Sequence, residues 1–439
     1  MPARSPWKFF EAYRRRWKRS DRFPVVGMYS QGWLLVGSLL LLVAVFTRQA
    51  VAFLLGLAVF LSAGASYLWD RFCLARVEYR RTFTPRRAFY GETVTLTMEL
   101  TNRKILPLAW LEVVDELPGE LVPLSGRVIP SVRQRRQHLV NMFTLRWYER
   151  VRRRFVLRCD ARGYFPLGPA RLRSGDIFGF TIRGKDVEHV DHLLVYPRIV
   201  PLSALGLPAL YPIGDTTMPR HLLEDPARVA GVRPYAPGDP LRRIHWKVTA
   251  KSGDLRSKQY ETTTSRRLAI FLNLDTLGRW AEYRGFVRPL LELLMVTAAS
   301  VASWAADGGH LIGLYANGYL PQGLRWVRIP PASGTRTLSL ILEALAKLFA
   351  TPVMPLGDLL QLEARTLPFG TTAIVVTAVV DDPLIAGIDR FRQAGGGVVV
   401  IVVGDEAPAG DLPVPVYHVP SVRAWQAMDG ISLRPAGTA

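Results

Sequence analysis

Two long apolar runs dominate the pattern of hydrophobic and polar positions near the start of the chain. They cover about residues 25–46 and 50–68, and Arg48 is the one charged residue between positions 31 and 69. Each run approaches the roughly 20 helical residues that cross a hydrocarbon core of about 30 Å. The pattern predicts a two-helix transmembrane hairpin over 25–69; the alternative is a buried helical hairpin in a globular core.

Basic residues border both runs and predict the orientation of the hairpin. Cytoplasmic flanks of membrane helices carry an excess of Lys and Arg. Eight basic residues lie in the first 22 positions, and four arginines follow the second run: Arg71, Arg76, Arg80 and Arg81. We therefore expect a basic cytoplasmic N-terminus over 1–24, a location in the cell membrane, and soluble domains on the cytoplasmic side.

Short alternating stretches follow the apolar runs and predict an all-β domain over 74–202. Residues 93–100 alternate polar and apolar positions, as a half-buried strand does. Further strands are expected at 109–115, 138–147, 154–159 and 193–196. Their spacing favours a small antiparallel sandwich, and we expect an immunoglobulin-like β-sandwich.

Strand and helix patterns alternate over 267–420 and predict an α/β doubly wound domain. Continuous apolar runs are expected to form strands buried on both faces, at 268–274, 310–315, 373–380 and 398–403, with an edge strand at 414–419. Helical patterns lie between them, at 286–306, 335–350 and 383–394. Glu292 and the short length of its apolar run favour a core helix there over a third membrane span.

Charge is distributed unevenly along the 439 residues. The formal net charge is +20, but residues 381–439 contain seven Asp or Glu, four Arg and no Lys. A basic membrane-proximal part suits anionic lipid headgroups, with nucleic acid as an alternative. Arginines cluster in one predicted strand, where they either face solvent or contact lipid: Arg150, Arg152, Arg153, Arg154 and Arg158.

The most distinctive local motif lies at residues 231–247, between the two predicted domains, in a segment (203–266) that we interpret as linker and motif. Pro237-Gly238 predicts a turn, Asp239 a helix cap and Pro240 the first helical position. On such a helix Leu241, Ile244 and Val248 would share an apolar face. Arg243 and Lys247 would then be neighbours at i, i+4.

Paired cations on one helix can bind a carboxylate or phosphate of a partner. They can equally hold acidic residues of the same chain, such as Glu224, Asp239 or Glu261, because the Arg fork serves both roles. The candidate partner-binding residues of the motif are Arg233, Tyr235, Asp239, Arg243, Trp246 and Lys247.

The motif resembles the family catalogued as domain of unknown function 58, whose hallmark is Arg-x-Tyr-x-x-Gly-Asp followed by Arg-x-Ile-x-Trp-Lys. Upstream segments at 162–169, 176–180 and 195–197 resemble it too. The resemblance implies a von Willebrand factor A-like C-terminal domain and a MoxR-type AAA+ ATPase as partner. Related metal-binding domains carry Asp-x-Ser-x-Ser, but Leu277 and Arg279 replace both serines after Asp275, so no metal is assigned.

These observations favour a membrane-anchored scaffold or protein-binding protein that contacts anionic lipids. A nucleic-acid-binding module is the alternative, but recognisable stacking aromatics are missing from a binding motif. A membrane-associated hydrolase is a third hypothesis; since no nucleophile with a base is evident, we expect no enzyme activity, catalytic residue or cofactor. Residues 421–439 are expected to form a C-terminal tail.

Overall fold

The computed structural model describes residues 30–131, 135–176, 182–201, 224–236, 244–262, 267–278, 286–321, 323, 325–405, 412–420, 426 and 434–435. The chain divides into two compact units. The first contains residues 1–198 and 342–348, and the second contains residues 199–341 and 349–439.

Two antiparallel apolar helices begin the first unit: α1 (Ser30–Thr47) and α2 (Ala50–Phe72). Arg48 turns the chain between them with a left-handed φ of 50°. The helices approach closely at two glycines, since a Cβ on Gly37 would lie 2.9 Å from the Phe60 Cα and one on Gly56 3.0 Å from the Leu41 nitrogen. The two predicted apolar helices are confirmed, and α2 extends four residues beyond its expected end.

Residues 77–196 of the first unit form twelve strands in the part that the structure describes. Their bounds are β1 (Val77–Thr84), β2 (Arg87–Phe89), β3 (Thr93–Asn102), β4 (Leu108–Pro118), β5 (Leu121–Pro123), β6 (Arg127–Pro130), β7 (Arg136–Leu145), β8 (Arg150–Cys159), β9 (Gly163–Leu167), β10 (Ala170–Gly175), β11 (Ile182–Val187) and β12 (Asp191–Tyr196). They pair in three sheets, ordered β1-β3-β8-β5, β11-β10-β4-β7-β6 and β2-β12-β9. The predicted β region is confirmed.

The core of this region draws side chains from both larger sheets. Leu96 and Phe155 of the first sheet share one buried cluster with Leu117 and Leu139 of the second. Alternate residues of β3 and β8 point into this cluster, while the others face outward. The alternation of polar and apolar residues in these strands therefore corresponds to one buried face and one outward face.

Arg150, Arg152, Arg154 and Arg158 of β8 lie on the outward face, as the sequence favoured, whereas Arg153 shares the side of Phe155 and its guanidinium lies 4.2 Å from the centre of the Phe143 ring. Arg150 and Arg152 form ion pairs with Glu99 on the neighbouring strand, at 3.4 and 2.5 Å. Arg158 binds both carboxylate oxygens of Asp160, at 2.6 and 2.9 Å. Much of this cationic charge is thus matched by acidic residues of the same unit.

Among its described residues, the second unit combines a two-stranded ribbon with a seven-stranded sheet. The described elements are β13 (Glu224–Pro234), α3 (Trp246–Ser252), β14 (Arg256–Thr262), β15 (Arg267–Leu272), α4 (Arg288–Asp307), β16 (Leu311–Tyr319), β17 (Trp326–Ala332), α5 (Thr335–Lys347), α6 (Leu356–Ala364), β18 (Thr372–Thr377), α7 (Asp382–Gln393), β19 (Gly397–Val403), β20 (Val416–Val419) and β21 (Arg434–Pro435). The ribbon pairs β13 with β14; the sheet has the order β17-β16-β15-β18-β19-β20-β21. Helix α5 crosses the unit boundary, since residues 342–348 belong to the first unit.

The five central strands of the large sheet run parallel, from β16 to β20, and the outer strands β17 and β21 are antiparallel. The expected edge position of 414–419 is therefore wrong, because β21 adds two paired residues beside β20. Strand–helix alternation is confirmed, and the helix predicted at 383–394 is α7, which is capped by Asp381, whose carboxylate accepts the Leu384 N–H at 3.0 Å.

Both faces of the large sheet are buried. On one face Phe271 stacks on Tyr315, with ring centroids 5.0 Å apart, and Phe391 of α7 packs edge-on against Phe271. Residues one position along, such as Leu268 and Ile270, are also buried but belong to the opposite face. Helix α4 packs against β15 and β16. Most of its side chains are buried, which fits a core helix.

Candidate partner-binding site

The motif forms a small module built around the ribbon of the second unit. Strand β13 pairs antiparallel with β14, with Arg233 opposite Ser257 and Pro234 opposite Arg256. The Tyr235 N–H continues this pairing by donating to the Leu255 carbonyl at 3.0 Å. Ser257 also forms an isolated bridge with Ile244. The described parts of the motif are thus held together by β14.

The helix of the motif begins later than the sequence predicted. Its first residue is Trp246, and the cap is His245, whose Nδ1 accepts the Val248 N–H at 3.4 Å. The His245 N–H donates to the Arg256 carbonyl at 2.8 Å, and Ile244 is buried in its bridge. A continuous helix from Pro240 is therefore wrong, because Ile244 pairs with Ser257 in a β-bridge and the His245 backbone (φ −89°, ψ 80°) is not helical.

Arg243 and Lys247 therefore do not lie one turn apart on a single continuous helix, as the sequence predicted, because the described helix begins at Trp246. The later helix start also removes the shared helical face predicted for Leu241, Ile244 and Val248. Asp239 and Arg243 lie outside the described residues.

The four described candidate residues occupy two kinds of position. Arg233 and Tyr235 are half-buried on β13 and just after it. Trp246 and Lys247 are exposed in the first turn of α3, and the Trp246 side chain is 65% exposed. Short helix α3 buries none of its residues. An indole held outward by a fixed turn is available to a partner.

The surroundings of Trp246 are strongly basic. Within residues 231–236 and 244–258 there is one acidic residue, Asp254, and the basic residues are Arg233, Lys247, Lys251, Arg256 and Lys258. Leu255 and Val232 add exposed apolar surface. We call the exposed residues of α3 and of the turn that follows it, namely Trp246, Lys247, Lys251 and Leu255, the Trp246 surface. Its chemistry suits an acidic protein surface that offers a pocket for an aromatic ring.

A second polar site lies where the parallel strands of the large sheet end. The Asn317 amide donates to the Asn273 side-chain oxygen at 2.9 Å, and the Asn273 amide donates to the Thr377 hydroxyl at 3.1 Å. Asp275 accepts the N–H groups of Leu277 and Gly278. This network was not predicted from the sequence. Polar residues within or directly after apolar strands are the feature that could have indicated it.

The network is occupied by its own hydrogen bonds and offers few anionic ligands. Asn273 and Asn317 are amides, and Asp275 is the acidic residue that adjoins them, with one oxygen committed to the turn. Among the described residues, no group of three His, Cys, Asp or Glu side chains is placed to hold a metal ion. What the site does is tie together the ends of β15, β16 and β18.

The upstream segment 162–169 serves a buried ion network in the first unit. Arg81 forms an ion pair with buried Asp115, and its Nε donates to Asp191 at 2.9 Å. The Tyr79 hydroxyl donates to Asp115 at 2.6 Å. Burial, together with the Asp115 carboxylate, raises the pKa of Tyr79 well above its usual value.

Gly168 gives this network its space. Its φ is +95°, and a Cβ there would lie 2.5 Å from one Arg81 guanidinium nitrogen. A side chain at that position would therefore meet both backbone strain and the buried cation. Gly168, within the segment 162–169, therefore packs against a structural ion pair.

Comparison with known proteins gives one family match. Residues 231–409 match the family described as "Protein of unknown function DUF58". This stretch of the chain contains the Trp246 surface and much of the large sheet. The resemblance is confirmed for this region, and the upstream segments at 162–169, 176–180 and 195–197 lie outside the match.

One relative and two solved structures illustrate the more distant similarity. Uncharacterized protein YeaD of Bacillus subtilis (strain 168) is 22% identical over 218 residues, so the match spans 48% of this chain and 50% of the relative. A cohesin module of a Clostridium perfringens family 33 glycoside hydrolase is 10% identical, covering 27% of this chain and 96% of the module, with a TM-score of 0.20. The Bacillus subtilis sporulation control protein Spo0M is 13% identical, covering 28% of this chain and 49% of that protein, with a TM-score of 0.17.

Proposed function

We propose that this chain is a membrane-anchored cytoplasmic scaffold that binds a protein partner, a MoxR-type AAA+ ATPase, through the Trp246 surface. In this proposal α1 and α2 cross the cell membrane, and both soluble regions lie on its cytoplasmic side.

The distribution of side-chain size in the helical hairpin supports the membrane part. Small residues lie between the helices, with Gly37 and Ala44 in α1 and Gly56 and Ala63 in α2, and both alanines are buried. Large apolar side chains point away from the partner helix, among them Leu39, Val45, Phe46, Val51 and Leu61. Water would oppose this arrangement, whereas lipid favours small residues at helix contacts and large apolar ones outside.

The basic flanks support the orientation. Residues on both sides of the hairpin are rich in Lys and Arg, while the short turn at Arg48 would be the part on the far side. Anionic lipids of the inner surface are the expected contacts of these flanks.

We also propose the finer assignments of the two soluble regions. The β region resembles an immunoglobulin-like sandwich in having two antiparallel sheets that share one core. The α/β region resembles a von Willebrand factor A-like domain in its parallel sheet with alternating helices. The amide-rich network at Asn273 and Asn317 suits a domain of this kind that binds a protein without a metal ion.

The exposed indole of Trp246 carries the partner-binding proposal. Trp and Arg are enriched among residues that dominate the binding energy of protein interfaces. Basic neighbours add electrostatic steering toward an acidic partner. We propose a binding role and no enzyme activity, since the described polar networks are satisfied by structural hydrogen bonds.

Binding of the ATPase to the full chain in lipid nanodiscs tests this proposal. Truncating a hot-spot residue costs about 2 kcal/mol or more, so Trp246→Ala should weaken binding roughly 30-fold. Ser252→Ala, at the end of the same helix and outside the Trp246 surface, is the matched control for general damage to α3 and should leave the affinity unchanged. The measurement is the dissociation constant at two salt concentrations.

Three results would count against the proposal in different ways. If the unaltered chain does not bind the ATPase, the partner is wrong. If Trp246→Ala binds as well as the unaltered chain, the site is wrong. If nucleic acid binds tightly with a steep salt dependence instead, the alternative function gains support.

A further inference from the structure

Two loops of the β region lie beside the C-terminal end of helix α2. Helix α2 ends at Phe72 and β1 begins at Val77, which pairs with Asn102 at the end of β3. Thr101 in turn pairs with Arg150 at the start of β8. The β3–β4 loop (103–107) and the β7–β8 turn (146–149) are therefore neighbours; together we call them the paired loops.

Hydrogen bonds fix the paired loops to each other and to the helix end. Lys104 is buried, and its Nζ donates to the Cys73 carbonyl, beyond the last turn of α2, at 2.7 Å. The Asn102 amide donates to the carbonyls of Leu106 and Arg146, at 3.0 and 2.8 Å. The Tyr148 N–H donates to the Lys104 carbonyl at 3.2 Å. The loops are thus held in place relative to α2.

Lys104 is an unusual residue for such a junction. Burial lowers its pKa to about 8. A cation beside the final carbonyls of a helix interacts favourably with the helix dipole. The junction therefore uses a buried amine to join the helix end to the β3–β4 loop.

The tips of the paired loops expose large apolar and aromatic side chains. Ile105, Trp147 and Tyr148 are 72%, 66% and 65% exposed. Tyr148 has a left-handed φ of 52°, an uncommon backbone conformation for an aromatic residue. The described core clusters of this unit do not include these three side chains.

Exposed arginines surround these tips. They are Arg71, Arg76, Arg103 and Arg146. Glu78 pairs with Arg103 at 3.1 Å, and the Glu149 carboxylate accepts the Arg146 N–H at 2.6 Å. Aromatic rings beside cations are typical of segments at the boundary between a membrane and the cytoplasm.

We propose that Ile105, Trp147 and Tyr148 insert into the headgroup region of the same bilayer that holds α1 and α2. The surrounding arginines then contact anionic lipid phosphates. This inference rests on the proposed membrane anchoring and adds a second contact, which fixes the β region against the membrane surface.

Continuity with the apolar helix identifies the bilayer as the occupant. Leu68 and Phe72 of α2 are exposed, so apolar surface continues to the helix end. Ser66 donates to Asp176 at 2.7 Å, so α2 contacts a polar group of the β region at this level. From Ser66 to Cys73 the helix rises about 10 Å, and the headgroup layer is about 5–7 Å thick, so long side chains on the loops reach it.

An environment-sensitive nitrobenzoxadiazole label on Trp147→Cys tests the insertion. The full chain is reconstituted in vesicles of phosphatidylcholine and phosphatidylglycerol; Cys73 and Cys159 are buried, so the introduced thiol is labelled. Glu92→Cys, in the exposed turn before β3 at the other end of that strand, is the control. We expect blue-shifted emission and quenching by nitroxide lipids at position 147, and water-like emission at position 92.

Flotation of the same vesicles separates this inference from the membrane proposal. If the protein floats with the vesicles but labels at Trp147→Cys and Ile105→Cys are both quenched by an aqueous reagent as at position 92, loop insertion is wrong and anchoring stands. If the protein does not float, both are wrong. The second labelled position guards against a local defect of the Trp147 variant.

Discussion

Helices α2 and α4 have almost the same length and apolar character, but they bury different side chains. Helix α4 buries its large apolar residues, whereas α2 buries small ones. Both are long and apolar enough to cross a membrane, as the segments Ala50–Trp69 and Arg288–Asp307. Helix α4 buries Leu291, Leu293 and Leu294 within the second unit. Helix α2 instead exposes leucines and buries Gly56 and Ala63.

Length and composition therefore do not distinguish the helix that we propose to cross the membrane from a core helix. What differs is the position of the large side chains. A core helix directs them to its neighbours, because water drives their burial. A helix in lipid gains nothing from burying leucine, so small residues that permit close approach take the contact positions.

The same substitution in both helices should have opposite effects, and this is the largest expected difference. Leu294→Lys places an ammonium in the core of the second unit and should destabilise it by more than about 4 kcal/mol. Leu61→Lys places it on the exposed side of α2, near the middle of the span, and should disfavour insertion by about 3 kcal/mol. Limited proteolysis of the second unit and membrane fractionation measure the two effects.

The two variants, Leu294→Lys and Leu61→Lys, should each change one measurement and leave the other unchanged. Leu294→Lys should leave the chain in the membrane fraction with a protease-sensitive second unit. Leu61→Lys should lower membrane recovery while the second unit stays resistant. Equal behaviour of the two variants would contradict the distinction between α2 and α4.

The close contact at Gly56 should give a smaller, local effect. Gly56→Ile should push the helices apart by about 2 Å, since the distance between packed helices depends on the side chains at the contact. Gly64 lies in the same helix, and a Cβ added there would have no atom within 4 Å, so Gly64→Ile is the matched control. Spin labels on Leu39→Cys and Leu61→Cys report the distance. An unchanged distance in Gly56→Ile would show that the glycines do not set the helix contact.

The sequence predicted the strands whose hydrophobic pattern is regular along their length. Strand β3 alternates over its full length, and β15, β18 and β19 are apolar apart from end residues, so their burial follows from the sequence. Strand β17 was missed because Pro330 and Pro331 lie within it, although an antiparallel outer strand tolerates them. Strands β2 and β5, with three residues each, carry too little pattern to detect.

The candidate site shows where local signals fail. Pro237-Gly238-Asp239-Pro240 satisfies the rules for a helix start, but the described helix begins at Trp246. The deciding contact is the bridge from Ile244 to Ser257, thirteen positions away, which no local pattern reports. The exposure of Trp246 follows from that bridge and likewise depends on tertiary pairing. The roles of the six candidate residues stay predictions.

The side of the membrane on which the soluble regions lie is the most direct test of the proposed anchoring. A tag fused after Ala439 is exposed to protease added to intact cells and, separately, to inside-out vesicles. We expect the tag to survive in intact cells and to be digested in the vesicles. Digestion in intact cells would contradict the proposed topology and the choice of a cytoplasmic ATPase as partner.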